Sequence, residues 1–239
     1  MAGTGSTGGV GGAGGTGRAG STGGPLRLLV LVSGGGTNLQ ALIDAEKAGK
    51  LGNAPELPAR DAREARARIA GVVSDRSGVH ALARAADAGI PSWVEEPNSS
   101  FPKAERRREL SDRILARAFE LDADFIVLAG FLSILEGPII DEYSGRMINL
   151  HPALLPKYGG EGMYGERVHR AVLEAGETES GCTVHLVDSG TDTGEILLRR
   201  RVPVLPGDTV ETLAGRIHAE EHIAIVDAVA LLAERYGRS

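Results

Sequence analysis

The chain has 239 residues, 42% of them apolar and 24% charged, too apolar for a wholly disordered protein and suited to one globular domain with or without a tail. Twenty-six basic against thirty-two acidic residues give a net charge of −6; tracking a phosphate backbone needs clustered Lys and Arg, so no nucleic-acid partner is expected. A single cysteine, Cys182, excludes an intrachain disulfide framework and a thiolate-rich zinc site. No apolar run reaches the roughly 20 residues that cross a bilayer. The start, Met-Ala-Gly, has no basic-then-apolar leader, so a cytoplasmic protein without membrane attachment is expected.

Residues 1–24 hold twelve glycines and one charge, Arg18. Nothing there could bury enough surface to offset ordering, so a flexible tail is expected, with 25–239 as a single domain. Leu28–Val32 is a continuous apolar run of the kind buried on both faces of a parallel sheet. A glycine turn, Ser33–Asn38, and a helix over Leu39–Ala48 follow. Pro55–Arg68 reads as a surface insertion. Ile69–Val73 predicts a strand, His80–Ala88 a helix, Ile90–Val94 a short strand, Ala104–Glu120 a charged helix and Phe125–Ala129 another buried strand. Met147–Leu150 predicts a short strand and Val168–Ala175 a helix beyond the glycine-rich loop Tyr158–Gly165. Cys182–Val187 and Glu195–Val204 pair as a hairpin bridged by Asp188–Gly194, and Val210–Arg235 is a long amphipathic helix. Strands alternating with helices predict an α/β fold: an open, mostly parallel twisted sheet with helices on both faces, closed by antiparallel strands and the long helix.

Three segments carry candidate chemistry. Gly36, Thr37 and Asn38 stand where a strand turns into a helix, so backbone N–H groups and the helix dipole could receive a single phosphate. The segment is neither a P-loop nor GxGxxG, which gives no support to ATP or NAD; its other reading is a tight turn with Thr37 or Asn38 as N-cap. Asn149 and His151 lie two apart at a strand end, so both side chains point the same way. The imidazole suits proton transfer near neutrality and the carboxamide suits an oxyanion; loop hydrogen bonding is the other reading. Asp188–Asp192 is a turn-rich loop whose carboxylate, beside His151, would raise the imidazole pKa and orient the ring. Asp188, Asp192 and Glu195 lack the ligand spacing of an EF-hand, so no metal is expected. His80, His169, His185, His218 and His222 fall inside predicted elements and read as packing or surface residues.

Four ordered stretches, SGGGTN (Ser33–Asn38), LAGFLSIL (Leu128–Leu135), NLHPALLPKY (Asn149–Tyr158) and GCTVHLVDSGTDTGEIL (Gly181–Leu197), resemble the folate-dependent glycinamide ribonucleotide formyltransferases over about residues 26–235. The resemblance implies their Rossmann-like formyltransferase fold and formyl transfer from 10-formyltetrahydrofolate to the amine of glycinamide ribonucleotide, in purine biosynthesis, without metal or ATP. It implies Asn149, His151 and Asp192 as catalytic residues, and Gly36, Thr37, Asn38 and Glu221 as ribonucleotide contacts. It places the folate pocket on Leu132, Ser133, Ile134, Leu135, Asn149, Asp188, Ser189, Gly190 and Thr191, with Arg108, or its neighbour Arg107, at the folate tail. Methionyl-tRNA formyltransferases and formyltetrahydrofolate hydrolases share the core but carry additional domains; they and a non-catalytic phosphate-binding module are the alternatives. Ser133 stands where the commonest form of the motif has Arg, and GGEGMYGERVH is longer than the usual PGxH loop. Monomer and homodimer are both compatible with the sequence.

Overall fold

A computed structural model describes residues 24–53, 66–102 and 104–236. The predicted tail, apart from Gly24, and most of the Pro55–Arg68 insertion lie outside the described residues. The elements in order are β1 (Leu26–Val32), α1 (Thr37–Lys47), β2 (Ala67–Ser74), α2 (His80–Asp87), β3 (Ser92–Val94), α3 (Arg106–Glu120), β4 (Phe125–Leu128), α4 (Pro138–Glu142), β5 (Met147–His151), α5 (Glu166–Glu174), β6 (Glu179–Leu186), β7 (Ile196–Pro203) and α6 (Val210–Tyr236).

They form a seven-stranded sheet in the order β3-β2-β1-β4-β5-β6-β7. β3, β2, β1, β4 and β5 run parallel; β6 and β7 turn back antiparallel. Alternation along β1 explains both layers. Leu28, Val30 and Val32 face one side, where they join Leu39 and Leu42 of α1 and Ile217 and Ile225 of α6. Leu29 and Leu31 face the other, against Leu110 and Ile114 of α3 and Ile139 and Tyr143 of α4. Burying each such side chain contributes about 1.5–3 kcal/mol, which fixes the register of the sheet and therefore which loops meet at its carboxyl edge.

The strand order changes direction between β1 and β4, the switch point where open α/β sheets leave a crevice. The turn after β1 and the loop after β4 are tied together there: Ser33 N–H donates to the Gly130 carbonyl at 3.1 Å, and Leu132 N–H donates to Ser33 Oγ at 2.8 Å.

Two details differ from expectation. α1 begins at Thr37, and its cap is Gly36 in the left-handed region (φ 71°) with no side-chain cap bond, so neither Thr37 nor Asn38 is the N-cap. A Cβ on Gly36 would fall 2.6 Å from the Ala81 Cβ, which reserves the position for glycine. The short α4 was not expected; Gly137 at φ 79° and Pro138 at its first turn start a helix too brief for an apolar period to mark it.

Candidate active site

One cavity of about 760 Å³ opens at the carboxyl edge of the sheet, a size that suits small-molecule ligands. From one face of the sheet it receives Thr37 and Asn38 of α1, His169 of α5, and His218 and Glu221 of α6. From the other it receives Arg106 and Arg107 of α3. The loops after β4 and β5 lie between. Thirteen of the expected residues besides Asp188 line it: Gly36, Thr37, Asn38, Leu132, Ser133, Ile134, Leu135, Asn149, His151, Gly190, Thr191, Asp192 and Glu221.

Asn149, His151 and Asp192 converge. His151 Nδ1 is 3.4 Å from Asp192 Oδ2, and Asn149 Nδ2 donates to Asp192 Oδ1 at 3.3 Å. His151 is 3% exposed, and its Nε2–H donates to the Tyr158 carbonyl at 2.7 Å. A carbonyl can only accept, so Nε2 carries the proton and neutral His151 presents a lone pair at Nδ1 to the carboxylate. Burial holds the imidazole below its ordinary pKa, and the attraction of Asp192 only partly offsets it. The carboxylate does raise this pKa, as expected, but desolvation of the cation is the larger effect and sets the net direction. For Asp192, burial favours the neutral acid, yet His185, His151 and the Gly160 N–H together hold it below the usual carboxylate range. Its backbone sits at φ 59°, a cost of about 1–3 kcal/mol that the surrounding contacts must hold in place.

His185, read from the sequence as a packing residue, belongs to this group. It stands directly across the β5–β6 ladder from Asn149. Its Nδ1–H donates to the Leu186 carbonyl at 2.8 Å, which leaves Nε2 to accept from Asn149 Nδ2 at 3.1 Å. Asn149 is thus pinned by His185, and its second N–H rests on Asp192. A titratable residue near the end of a buried strand, next to an acidic loop, was the available signal.

At the α1 side, Asn38 Nδ2 donates to Glu221 Oε2 at 3.2 Å, and both side chains are buried. Burial raises the Glu221 pKa against the pull of His218, Asn38 and His222. Asn38 Oδ1 and His169 Nδ1 are buried without a hydrogen-bond partner among the described residues. Unsatisfied buried acceptors cost free energy, and a ligand carrying hydroxyl donors would satisfy them. His169 is pushed down to about 4 by burial first and then by His218 and His151. His169 and His218 therefore also belong to the cavity, contrary to their reading as packing or surface residues.

Two residues expected at the folate lie outside the cavity lining. Arg108 does not line the cavity: it bonds Asp112 at 2.9 Å and covers Gly137. One residue earlier on the helix, Arg107 does line it. Ser189 is exposed and lies outside the lining. Asp188 lines the cavity, but its carboxylate accepts from Gly190 N–H at 3.0 Å and Thr193 Oγ at 2.7 Å, which builds the turn. Ser133 Oγ donates to buried Asp75 at 2.7 Å. Cys182 is buried in β6 and pushed up to about 12 by burial, so it offers no thiolate nucleophile. Among the described residues, no group of three or more His, Cys, Asp and Glu side chains is placed to hold a metal ion, and no helix is long and apolar enough to cross a membrane.

The strand-turn-helix start of α1, the Leu132–Leu135 loop and the Asn-His-Asp cluster thus share one crevice. The chain belongs to the formyl transferase family, whose model matches residues 26–229. Within that family the similarity runs to enzymes acting on glycinamide ribonucleotide. Phosphoribosylglycinamide formyltransferase of Escherichia coli (strain K12) is 35% identical over 198 residues, 82% of each chain. The trifunctional purine biosynthetic protein adenosine-3 of Drosophila pseudoobscura pseudoobscura is 48% identical over 208 residues, 87% of this chain, which spans 14% of that relative's length. Among solved structures, glycinamide ribonucleotide transformylase 1 from Symbiobacterium toebii superposes with a TM-score of 0.76 at 37% identity, covering 88% of this chain and 89% of that one.

Proposed function

We propose that the chain transfers the formyl group of 10-formyltetrahydrofolate to the primary amine of glycinamide ribonucleotide, with residues 25–239 acting as one formyltransferase domain in the cytoplasm. The observation that carries this reading is the meeting of Asn149, His151 and Asp192 in a cavity that also holds the α1 cradle and the Leu132–Leu135 loop. The residues fit both ligands. Free N–H groups at the start of α1, with no acidic residue in its first turn, suit a phosphate. Glu221 and the unpaired Asn38 Oδ1 suit ribose hydroxyls. The Leu132–Leu135 loop suits a flat ring system, and Arg107 suits its carboxylate tail.

The cosubstrate supplies an activated formyl carbon. As the amine attacks it, negative charge grows on the formyl oxygen. Asn149 N–H, released from its long 3.3 Å bond to Asp192 while His185 keeps the other, donates to that oxygen. His151 Nε2–H, once free of Tyr158, is a second donor. Asp192 stabilises the imidazolium formed when Nδ1 takes up a proton, and the pair returns the proton towards the departing folate nitrogen. In balance, one C–N bond forms, one breaks, and a proton passes from the amine to the folate. Holding two ligands in attack geometry supplies much of the rate.

The experiment is a spectroscopic assay of tetrahydrofolate formation with and without the ribonucleotide. Product only in its presence supports transfer. Ribonucleotide-independent product would mean a hydrolase, and binding without product a non-catalytic module.

A further inference from the structure

The glycine-rich loop 158–165 closes over the catalytic pair through its backbone rather than its side chains. The Tyr158 carbonyl holds His151 Nε2 at 2.7 Å, and the Gly160 N–H holds Asp192 Oδ2 at 2.9 Å. The loop is pressed close: a Cβ on Gly159 would fall 3.2 Å from the Asp192 Cβ and 2.6 Å from Leu155 Cδ2. Tyr158 is a non-glycine residue at φ 58°, a conformation that persists only where contacts enforce it. In this arrangement both groups that must act on substrate are bonded to the loop instead.

Glu161, which follows Gly160 and also lines the cavity, makes an ion pair with Arg107. Three arginines line the cavity, Arg106, Arg107 and Arg167. Arg106 is bonded to the Ser99 and Phe101 carbonyls, and Arg167 lies over the Tyr164 ring. Position 133 supplies no cation, since it is a serine, and its hydroxyl donates to Asp75. Among the described residues, Arg107 is thus the one lining arginine paired with a carboxylate, and that carboxylate is the chain's own. Its partners are 47% and 67% exposed, so the pair is weak enough for a ligand carboxylate to replace it.

We propose that Glu161 is an internal competitor for the carboxylate tail of the cosubstrate at Arg107, and that seating the tail releases the loop from His151 and Asp192. This rests on the reading of the cavity as a formyl-folate site. Glu161 follows Gly160 directly and is three residues from Tyr158, so withdrawing it from Arg107 pulls on both backbone bonds at once. The cavity would then discriminate tail-bearing folates from truncated ones by freeing its catalytic donors as well as by contact.

The test compares wild type with Glu161→Gln, using 10-formyltetrahydrofolate and the corresponding pteroate lacking the glutamate. In the variant the KM for the tail-bearing cosubstrate falls by about 2- to 5-fold, the range an exposed ion pair sustains, and the KM for the pteroate does not change. In wild type, N-(4-aminobenzoyl)glutamate speeds hydrogen exchange at the Gly160 amide; in Glu161→Gln that amide exchanges fast without it. Equal KM changes for both cosubstrates, no change for either, or Gly160 exchange indifferent to the aminobenzoylglutamate would overturn the inference. No transfer by wild type with either cosubstrate would instead overturn the reading of the cavity itself.

Discussion

His151 faces two opposite demands. Its Nε2 proton is committed to a carbonyl, while its Nδ1 lone pair looks at the Asp192 carboxylate 3.4 Å away, a contact that becomes favourable once Nδ1 is protonated. The imidazole is neutral in the resting fold, since burial keeps its pKa low, yet it is placed to accept a proton when the amine releases one. His151→Ala and Asp192→Asn are each expected to lower kcat by about 10²-fold, as losses of general acid–base catalysis do; steady-state kinetics with saturating cosubstrate would measure this, and near-wild-type turnover in both would remove the assignment. A second consequence concerns stability. His169 titrates at about 4 in the fold against 6.5 ordinarily, so between those values the unfolded chain binds a proton that the folded chain does not. Its contribution is complete above pH 6.5 and is lost as pH falls towards 4, at up to about 1.4 kcal/mol per pH unit. Urea midpoints of wild type should therefore fall more steeply over this window than those of His169→Asn, whose neutral side chain cannot titrate; parallel curves would contradict the burial of a neutral imidazole.

At the scale of elements, the site depends on how α1 begins. Because Gly36 rather than Asn38 caps the helix, the Asn38 side chain is free to reach Glu221 on α6, and the first N–H groups of α1 stay open to a ligand. Gly36→Ala forces a left-handed residue and a clash with Ala81 at 2.6 Å. It is expected to cost about 1–3 kcal/mol, read as a lower urea midpoint, together with a raised KM for the ribonucleotide and an unchanged KM for the folate. Elements also mark where the sequence was legible. The apolar runs of β1 and β4 announce themselves because burial on both faces leaves no polar interruptions, and α6 does so because its buried residues recur at helical spacing. The start of α3 does not: successive residues on a helix point about 100° apart, so Arg107 and Arg108 look equivalent in sequence, and only packing sends one to the cavity and the other over Gly137. His185 was hidden for a related reason, since its role comes from a cross-strand partner 36 residues away.

For the whole molecule, the doubly covered sheet brings groups from α1, α5 and α6 on one face and α3 on the other to one crevice, with the strand-end loops of β4 and β5 between them. The candidate site was readable as separate motifs, and Asn149, His151 and Asp192 do meet; what no single motif contains is the loop backbone that occupies His151 and Asp192, because that follows from the fold of residues 158–165 over the crevice. The most direct measurement is a crystal structure with glycinamide ribonucleotide and a folate analogue that has no transferable formyl group. The phosphate is expected on the N–H groups of Gly36–Asn38 and the fused ring system on Leu132–Leu135. The amine and the analogue's reactive position should both lie within hydrogen-bond reach of Asn149 and His151. Ligands seated in separate places, or an amine pointing away from these two side chains, would contradict the account.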